Sequence, residues 1–363
     1  MLHYNKGVQS CKKWERILRM KNYQIEFWRY FFTCVICMLH FEAAYFTDGS
    51  QPVFKCGYLG VEFFFILSGF FLMKHLDKKE ENAIGYTIGR IQRLYPNLVL
   101  SWIFLICNIA YFNHYSFTDI LREIKLHVWE YLLMNITGIT WDILNGPTWY
   151  LSALIIAGYF VYWVAKWNRK AFLECIAPLI IILVYFWYIP MGEGLDYHLH
   201  MGRIFYAGIE RAFGGLCIGC ITYKLSNYLI SKNLRGGGIF TLIECAVIVA
   251  ILDVVFYGEK NSGNFLVLLA FPILIVIEYN GLSYLSKLLN RKIFGFLGKS
   301  CMSIYVNQVF IIGIFQRYFA RHKGFFKDGI LFLLLITIFG IMVNYILEFC
   351  IEKYHKFVNL KTI

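Results

Sequence analysis

Charged side chains are scarce in this chain. Asp, Glu, Lys and Arg make up 16% of its 363 residues, against 59% hydrophobic and 19% aromatic. A soluble protein of this size needs far more polar surface, so the balance excludes that class and points to a polytopic membrane protein. Acids are scarcer than bases, leaving a formal net charge of +12. The bases fall in short segments between apolar runs, as in loops held on the cytoplasmic side of a membrane, and this distribution argues against nucleic acid as a partner. No cleavable signal peptide is legible. The first 24 residues, "MLHYNKGVQSCKKWERILRMKNYQ", have no apolar core and no small-residue cleavage site. The first apolar helix is therefore expected to be its own insertion signal, with the amino terminus inside. The sequence also lacks an obvious internal repeat, a Pro/Ser-rich linker and an appended soluble domain, while "RGGG" at 235–238 suits a cytoplasmic turn. The expected organisation is a single membrane domain, residues 25–350, between cytoplasmic segments 1–24 and 351–363.

Cysteine is not scarce, with 11 in the chain, and two pairs have CxxC spacing: Cys34/Cys37 and Cys217/Cys220. Both pairs sit inside apolar helical runs. Membrane depth is a poor place for charged thiolates or redox exchange, and cysteine also behaves as a small hydrophobe. No metal site is expected.

A spanning helix needs about 20 mostly apolar residues. Ten segments qualify: 26–46, 58–74, 96–113, 148–165, 171–190, 204–224, 239–257, 264–281, 301–319 and 329–349. A weaker run at 127–140 reads as a re-entrant or interfacial piece of an external loop. The fold expected is all-α, a polytopic bundle of about ten transmembrane helices. With the amino terminus inside, cytoplasmic segments hold 24 Lys and Arg and external segments 9, and Arg29 and Arg211 lie within spans. That bias places both termini in the cytoplasm. Segment 317–328 runs against it, but a late loop weighs less than the first helix.

Ionisable residues within spans are costly, so each is a candidate for function. Glu26, Glu278, Glu348 and Asp253 lie near helix ends, where side chains reach headgroups. Glu210 and Arg211 are adjacent and suit pairing with other helices. Glu244 stands inside the span 239–257. Arg29 and His40 differ from these. They are eleven residues apart, three turns plus roughly 20°, so they share one face at an axial offset of about 16 Å. Glu42, two residues on, points nearly the opposite way. A lone imidazole is most often a packing residue, yet histidine is also the side chain best suited to proton transfer near neutral pH. The next span reads "GYLGVEFFFILSGFFL", 57–72. Its Ser68-Gly69 allows another helix to approach closely. Glu62 lies at a depth comparable to His40, where it would orient the imidazole or share its proton; headgroup exposure is its alternative. Then "YTIGRIQRLYP", 86–96, reads as a cytoplasmic loop ending before Pro96. Arg90 and Arg93, three apart, suit an anionic cytosolic ligand because guanidinium forks match phosphate. Anchoring on the positive-inside pattern is the plainer reading of such arginines.

These residues resemble a known family. Arg-x10-His on the first span, "GYLGVEFFFILSGFFL" on the second and "RIQR" after it are similar to the acyltransferase 3 family of integral-membrane acyltransferases. "TWYLSAL" (148–154) and "FLGKSCMSIYVNQ" (296–308) are looser likenesses. The resemblance implies ten spans and transfer of an acyl group, commonly acetyl from acetyl-CoA, to a hydroxyl of a carbohydrate or lipid-linked glycan. It places Arg29, His40, Arg90 and Arg93 in the functional motifs. Two positions depart from the pattern: Cys301-Met302 stands where the family often has Ser-Tyr, and Gln308 where it often has histidine. Gln308 can hydrogen-bond but cannot accept a proton as a base.

The expected mechanism follows. Arg90 and Arg93, with Arg29 assisting, hold the phosphates of acetyl-CoA or another acyl-CoA. His40 acts as base on the acceptor hydroxyl or briefly carries the acyl group, oriented by Glu62. The acceptor approaches from outside, and membrane lipid surrounds the spans. The expected location is a bacterial plasma membrane. Tyr45, Phe46, Trp129, Trp141, Trp149 and Trp187 read as an interface belt, with stacking on sugar as the lesser alternative. A glycan transporter or flippase is the alternative function, favoured by internal repeats and interrupted helices. A non-enzymatic partner in a polysaccharide assembly is the third.

Overall fold

The computed structural model describes residues 22–46, 53–140, 142–192, 194–197, 200–202, 204–232, 237–319 and 324–361, with side chains of the last helix described to Lys353. Most of the expected segment 1–24 and Trp141 lie outside these residues. The described chain is all-α, its only extended pairing being an isolated bridge between Met201 and Tyr206.

The helices that carry the argument are α1 (Tyr23–Tyr45), α2 (Gly60–Leu76), α3 (Ala83–Phe112), α4 (Phe117–Leu126) and α5 (Val128–Tyr131). They continue with α6 (Trp149–Trp167), α7 (Arg169–Tyr188), α8 (Ala207–Ser231) and α9 (Gly238–Tyr257). The last four are α10 (Val267–Asn280), α11 (Tyr284–Leu289), α12 (Lys292–Tyr318) and α13 (Phe325–Lys361). Among the described residues, 8 helices are long and apolar enough to cross a membrane. Two more, α1 with 23 residues and α8 with 25, are long enough but less apolar. Polar side chains are affordable on these two because both are inner helices: α8 packs on α2, α6, α7 and α10, and α1 on α12, α2 and α13. Their polar groups face protein rather than hydrocarbon, which lowers the cost of burial.

Small residues set the closest contact. A Cβ on Gly69 of α2 would collide with the Leu216 backbone, and one on Gly219 of α8 with the Ile66 backbone. The two helices therefore approach along glycine on both sides, as Ser68-Gly69 foretold. Cys217 and Cys220 are buried in this main apolar core, and Cys37 in a second cluster between α1, α12 and α13. They act as small apolar residues there.

One boundary differs from expectation. Residues 86–96 are not a loop but the first half of α3, which runs unbroken through Pro96. Asn82 starts the helix by accepting from Gly85 N at 2.7 Å. Proline removes a single backbone donor and does not oblige the chain to stop. The 127–140 run forms α5 and a set of turns, not a span.

Candidate active site

Arg29 on α1 and Arg90 and Arg93 on α3, read from sequence as one anion site, line one cavity of about 580 Å³. Arg29 and Arg90 are half-buried and Arg93 is exposed. Each guanidinium is steadied locally. Arg29 donates to Glu26 Oε2 at 2.7 Å, Arg90 to the Tyr86 hydroxyl at 2.7 Å, and Arg93 Nε to the Gly89 carbonyl at 3.0 Å. Tyr86 is itself fixed by stacking on Tyr162, with centroids 4.2 Å apart and planes within 10°. α2 contributes Lys74 and His75 to the lining, and Lys78 and Lys79 follow it. Below the cations the walls turn apolar, with Val61, Phe64, Leu151 and Leu154, and reach Ile36 and Tyr305. Charge at one end and a greasy shaft beyond it suit a long ligand with an anionic head.

His40 is not in that lining; it stands one turn further along α1. Its Nδ1 meets the Ile36 carbonyl at 2.9 Å and Gln308 Oε1 at 3.1 Å. Gln308 in turn donates from Nε2 to the Tyr305 carbonyl at 2.8 Å, which sets which end of the amide faces the ring. Both partners of Nδ1 are then acceptors, so Nδ1 carries the proton and Nε2 the lone pair. An imidazole in this tautomer can take a proton at Nε2.

Glu62 is elsewhere engaged. Its Oε1 accepts from Arg211 Nε at 2.7 Å and its Oε2 from the Tyr185 hydroxyl at 3.3 Å. Carboxylate and guanidinium are both almost wholly enclosed, with side-chain exposures of 0% and 1%. Gln308 thus occupies the place at Nδ1 that the sequence suggested for Glu62, and headgroup exposure does not apply to Glu62. Arg211 also lies over the Trp149 ring, 5.6 Å from its centroid, so Trp149 belongs to the core and not to the interface belt.

Four further acids are placed by the fold. Glu42 accepts from Val53 N and Phe54 N at 3.0 and 2.7 Å, away from His40. Glu278 does not reach headgroups: it is fully buried and accepts from Trp28 Nε1, with Glu244 buried likewise. Glu130 on α5 is the residue that sequence reading missed. It accepts from Trp102 Nε1 at 3.0 Å, Leu144 N at 2.6 Å, Asn145 N at 3.2 Å and the Thr148 hydroxyl at 3.1 Å. Asn145 then donates to the Val306 carbonyl at 2.7 Å, two residues before Gln308. Burial raises the Glu130 carboxyl above its usual range against the pull of these four donors. The signal available was an acid inside the apolar run "VWEYLLM".

No curated protein and no solved structure matches this chain. A family model described as an acyltransferase domain matches residues 22–349, nearly the whole length, including every residue of the cavity and of the His40 pair. The chain therefore belongs to the acyltransferase 3 family and is a membrane acyltransferase.

Proposed function

We propose that the protein moves an acyl group, acetyl first among them, from a cytosolic acyl-CoA to a hydroxyl of a carbohydrate or lipid-linked glycan on the outer side of the membrane. The supporting observation is the convergence of Arg29, Arg90 and Arg93 on one cavity whose inner end stops a turn short of the His40 imidazole. In this reading both termini lie in the cytoplasm, and a bacterial plasma membrane is the setting.

The donor's phosphates lie against Arg90 and Arg93, with Arg29 deeper, through charge-assisted hydrogen bonds. The pantetheine arm follows α1. The rise from Arg29 to His40, about 16 Å for eleven residues, matches its reach, and the thioester must pass the Ile36–Tyr305 layer. At His40, Nε2 removes the acceptor's hydroxyl proton as the oxygen attacks the thioester carbonyl. The new C–O bond forms, the C–S bond breaks, and the imidazolium returns its proton to the departing CoA thiolate. Glu62, paired with Arg211, ties α2 to α8, a positioning part and not a proton transfer.

Mass spectrometry of surface glycans and lipids tests the reading, comparing cells with the native chain, without it, and with His40→Ala at equal membrane abundance. A product heavier by one acetyl group is expected with the native chain alone. Equal product from His40→Ala overturns the base; identical spectra with and without the native chain overturn the acceptor class.

A further inference from the structure

The cations of the cavity form two tiers. Arg29, Lys74 and Arg90 are half-buried within it, and Lys78, Lys79 and Arg93 are exposed at its rim. Both tiers draw on the end of α2 and on α3: Lys74 and Arg90 lie on these helices in the inner tier, while Lys78 and Lys79 follow the end of α2 and Arg93 stands one turn beyond Arg90 in the rim. Among the described residues no acid lines the cavity; of the acids nearby, Glu80 beside Lys79 is exposed and three others are engaged. Glu26 holds Arg29, Glu81 holds His75 at 2.9 Å, and Asp77 holds Arg169. Among the described residues, Lys74, Lys78, Lys79, Arg90 and Arg93 enter no ion pair. Lys74 turns instead towards aromatic rings, 4.8 Å from the Tyr279 centroid. Burial, and then the charge of Lys74, holds the Lys78 ammonium below its usual pKa. Like charges collected without counter-charge are a cost that an anionic ligand removes. Beyond the rim, Lys79, His75 and Arg93 also line an adjoining cavity of about 510 Å³, together with Glu81 and Glu348, which are paired with His75 and Lys299, so there is room past the cations for more of a ligand than its phosphates.

We infer that the rim lysines Lys78 and Lys79 recognise the terminal 3′-phosphate of the acyl-CoA donor, separately from the inner cations that hold its pyrophosphate. The inference rests on the acyl-CoA reading above. A pyrophosphate diester bears a single negative charge on each phosphorus, whereas a phosphomonoester bears about −1.5 to −2 near neutral pH. The monoester is thus the stronger anion and the one furthest from the thioester. In a donor threaded thiol-first, it is the group left at the rim. Lysine suits it, because a monoester turns freely and needs point charges more than a planar fork.

The test is equilibrium binding of CoA and of dephospho-CoA to the purified full chain in detergent, native against Lys78→Gln/Lys79→Gln, with Arg90→Gln as contrast. The native chain should prefer CoA by about tenfold or more, the size of one lost charged contact. The double lysine variant should bring that preference close to unity while leaving dephospho-CoA affinity unchanged. Arg90→Gln should weaken both ligands and keep the preference. Equal native affinity for the two ligands overturns the inference and leaves the donor class standing, as does a preference that survives loss of both lysines. If neither ligand binds the folded native chain, the donor reading falls and takes the inference with it. Because Lys78 and Lys79 are exposed beyond a helix end, their substitution should leave the melting temperature in place, which separates lost recognition from lost fold.

Discussion

Among the described residues, Lys78, Lys79 and Arg93 at the rim of the cavity enter no ion pair, whereas in the core Glu62 and Arg211 face each other with neither exposed. The two regions use the same residue types under opposite conditions. Water and an incoming anion can satisfy the first set, so those charges are cheap to keep and available to bind. The second set has been taken out of water at a cost of several kcal/mol per ion and is held by its own complement. The rim cations are open to solvent, and the core cation is closed off with its own carboxylate.

The largest effect should come from breaking the core pair. Arg211→Ala leaves Glu62 buried and unmatched, a loss of about 3–5 kcal/mol, read as a sharp fall in the melting temperature of the detergent-solubilised chain. Replacing both partners by leucine should recover much of that stability. If the single variant melts like the native chain, the two regions do not differ as argued. Next, His40→Ala should lower transfer by about 10²–10⁴-fold, the usual worth of a general base, with the melting temperature little changed. Gln308→Glu sharpens the assignment of the tautomer. A carboxylate at Nδ1 favours the imidazolium, so the acid limb of the rate–pH profile should move to higher pH; an unmoved limb would separate Gln308 from the chemistry. Arg90→Gln and Arg93→Gln should each weaken donor binding by about 1.5–3 kcal/mol, the range for hydrogen bonds to charged groups, without altering the melt.

The smallest effect concerns pH. Burial works against the Asp77 carboxylate, but hydrogen bonds from Arg169 and from the Tyr223 hydroxyl at 2.6 Å hold its pKa below the ordinary value. A depressed carboxylate pKa stabilises the fold above the unfolded value and ceases to do so as pH falls through the folded one. Native chain and Asp77→Asn should therefore differ slightly in melting temperature at neutral pH and converge in acid. A difference that persists in acid would show that the clamp does not depend on charge.

Much of this was legible in the sequence because the bilayer imposes a length. Runs of about 20 apolar residues located the spans, and the eleven-residue spacing of Arg29 and His40 fixed their shared face. What sequence could not supply was lateral direction. Glu278, near a helix end, was expected to reach headgroups, yet its side chain turns inward to Trp28. Arg211 and Glu62 are separated by 149 positions, and no local period links them. Glu130 escaped notice because its partners come from α3 and from the segment 144–148 that leads into α6. Gln308 stood out as a departure at the right position, but its hold on the imidazole needed α1 and α12 side by side. Pro96 misled in the other direction, marking a boundary where the helix continues.

That continuity has a mechanical consequence. Arg90 and Arg93 sit on the same rod as Ser101, which donates to the Val306 carbonyl at 2.6 Å, and as Trp102, which reaches Glu130. On the donor reading proposed above, an anion bound at the arginines loads a lever whose far arm touches the helix carrying Gln308. Pro96, where one rung of the backbone ladder is missing, is its natural pivot.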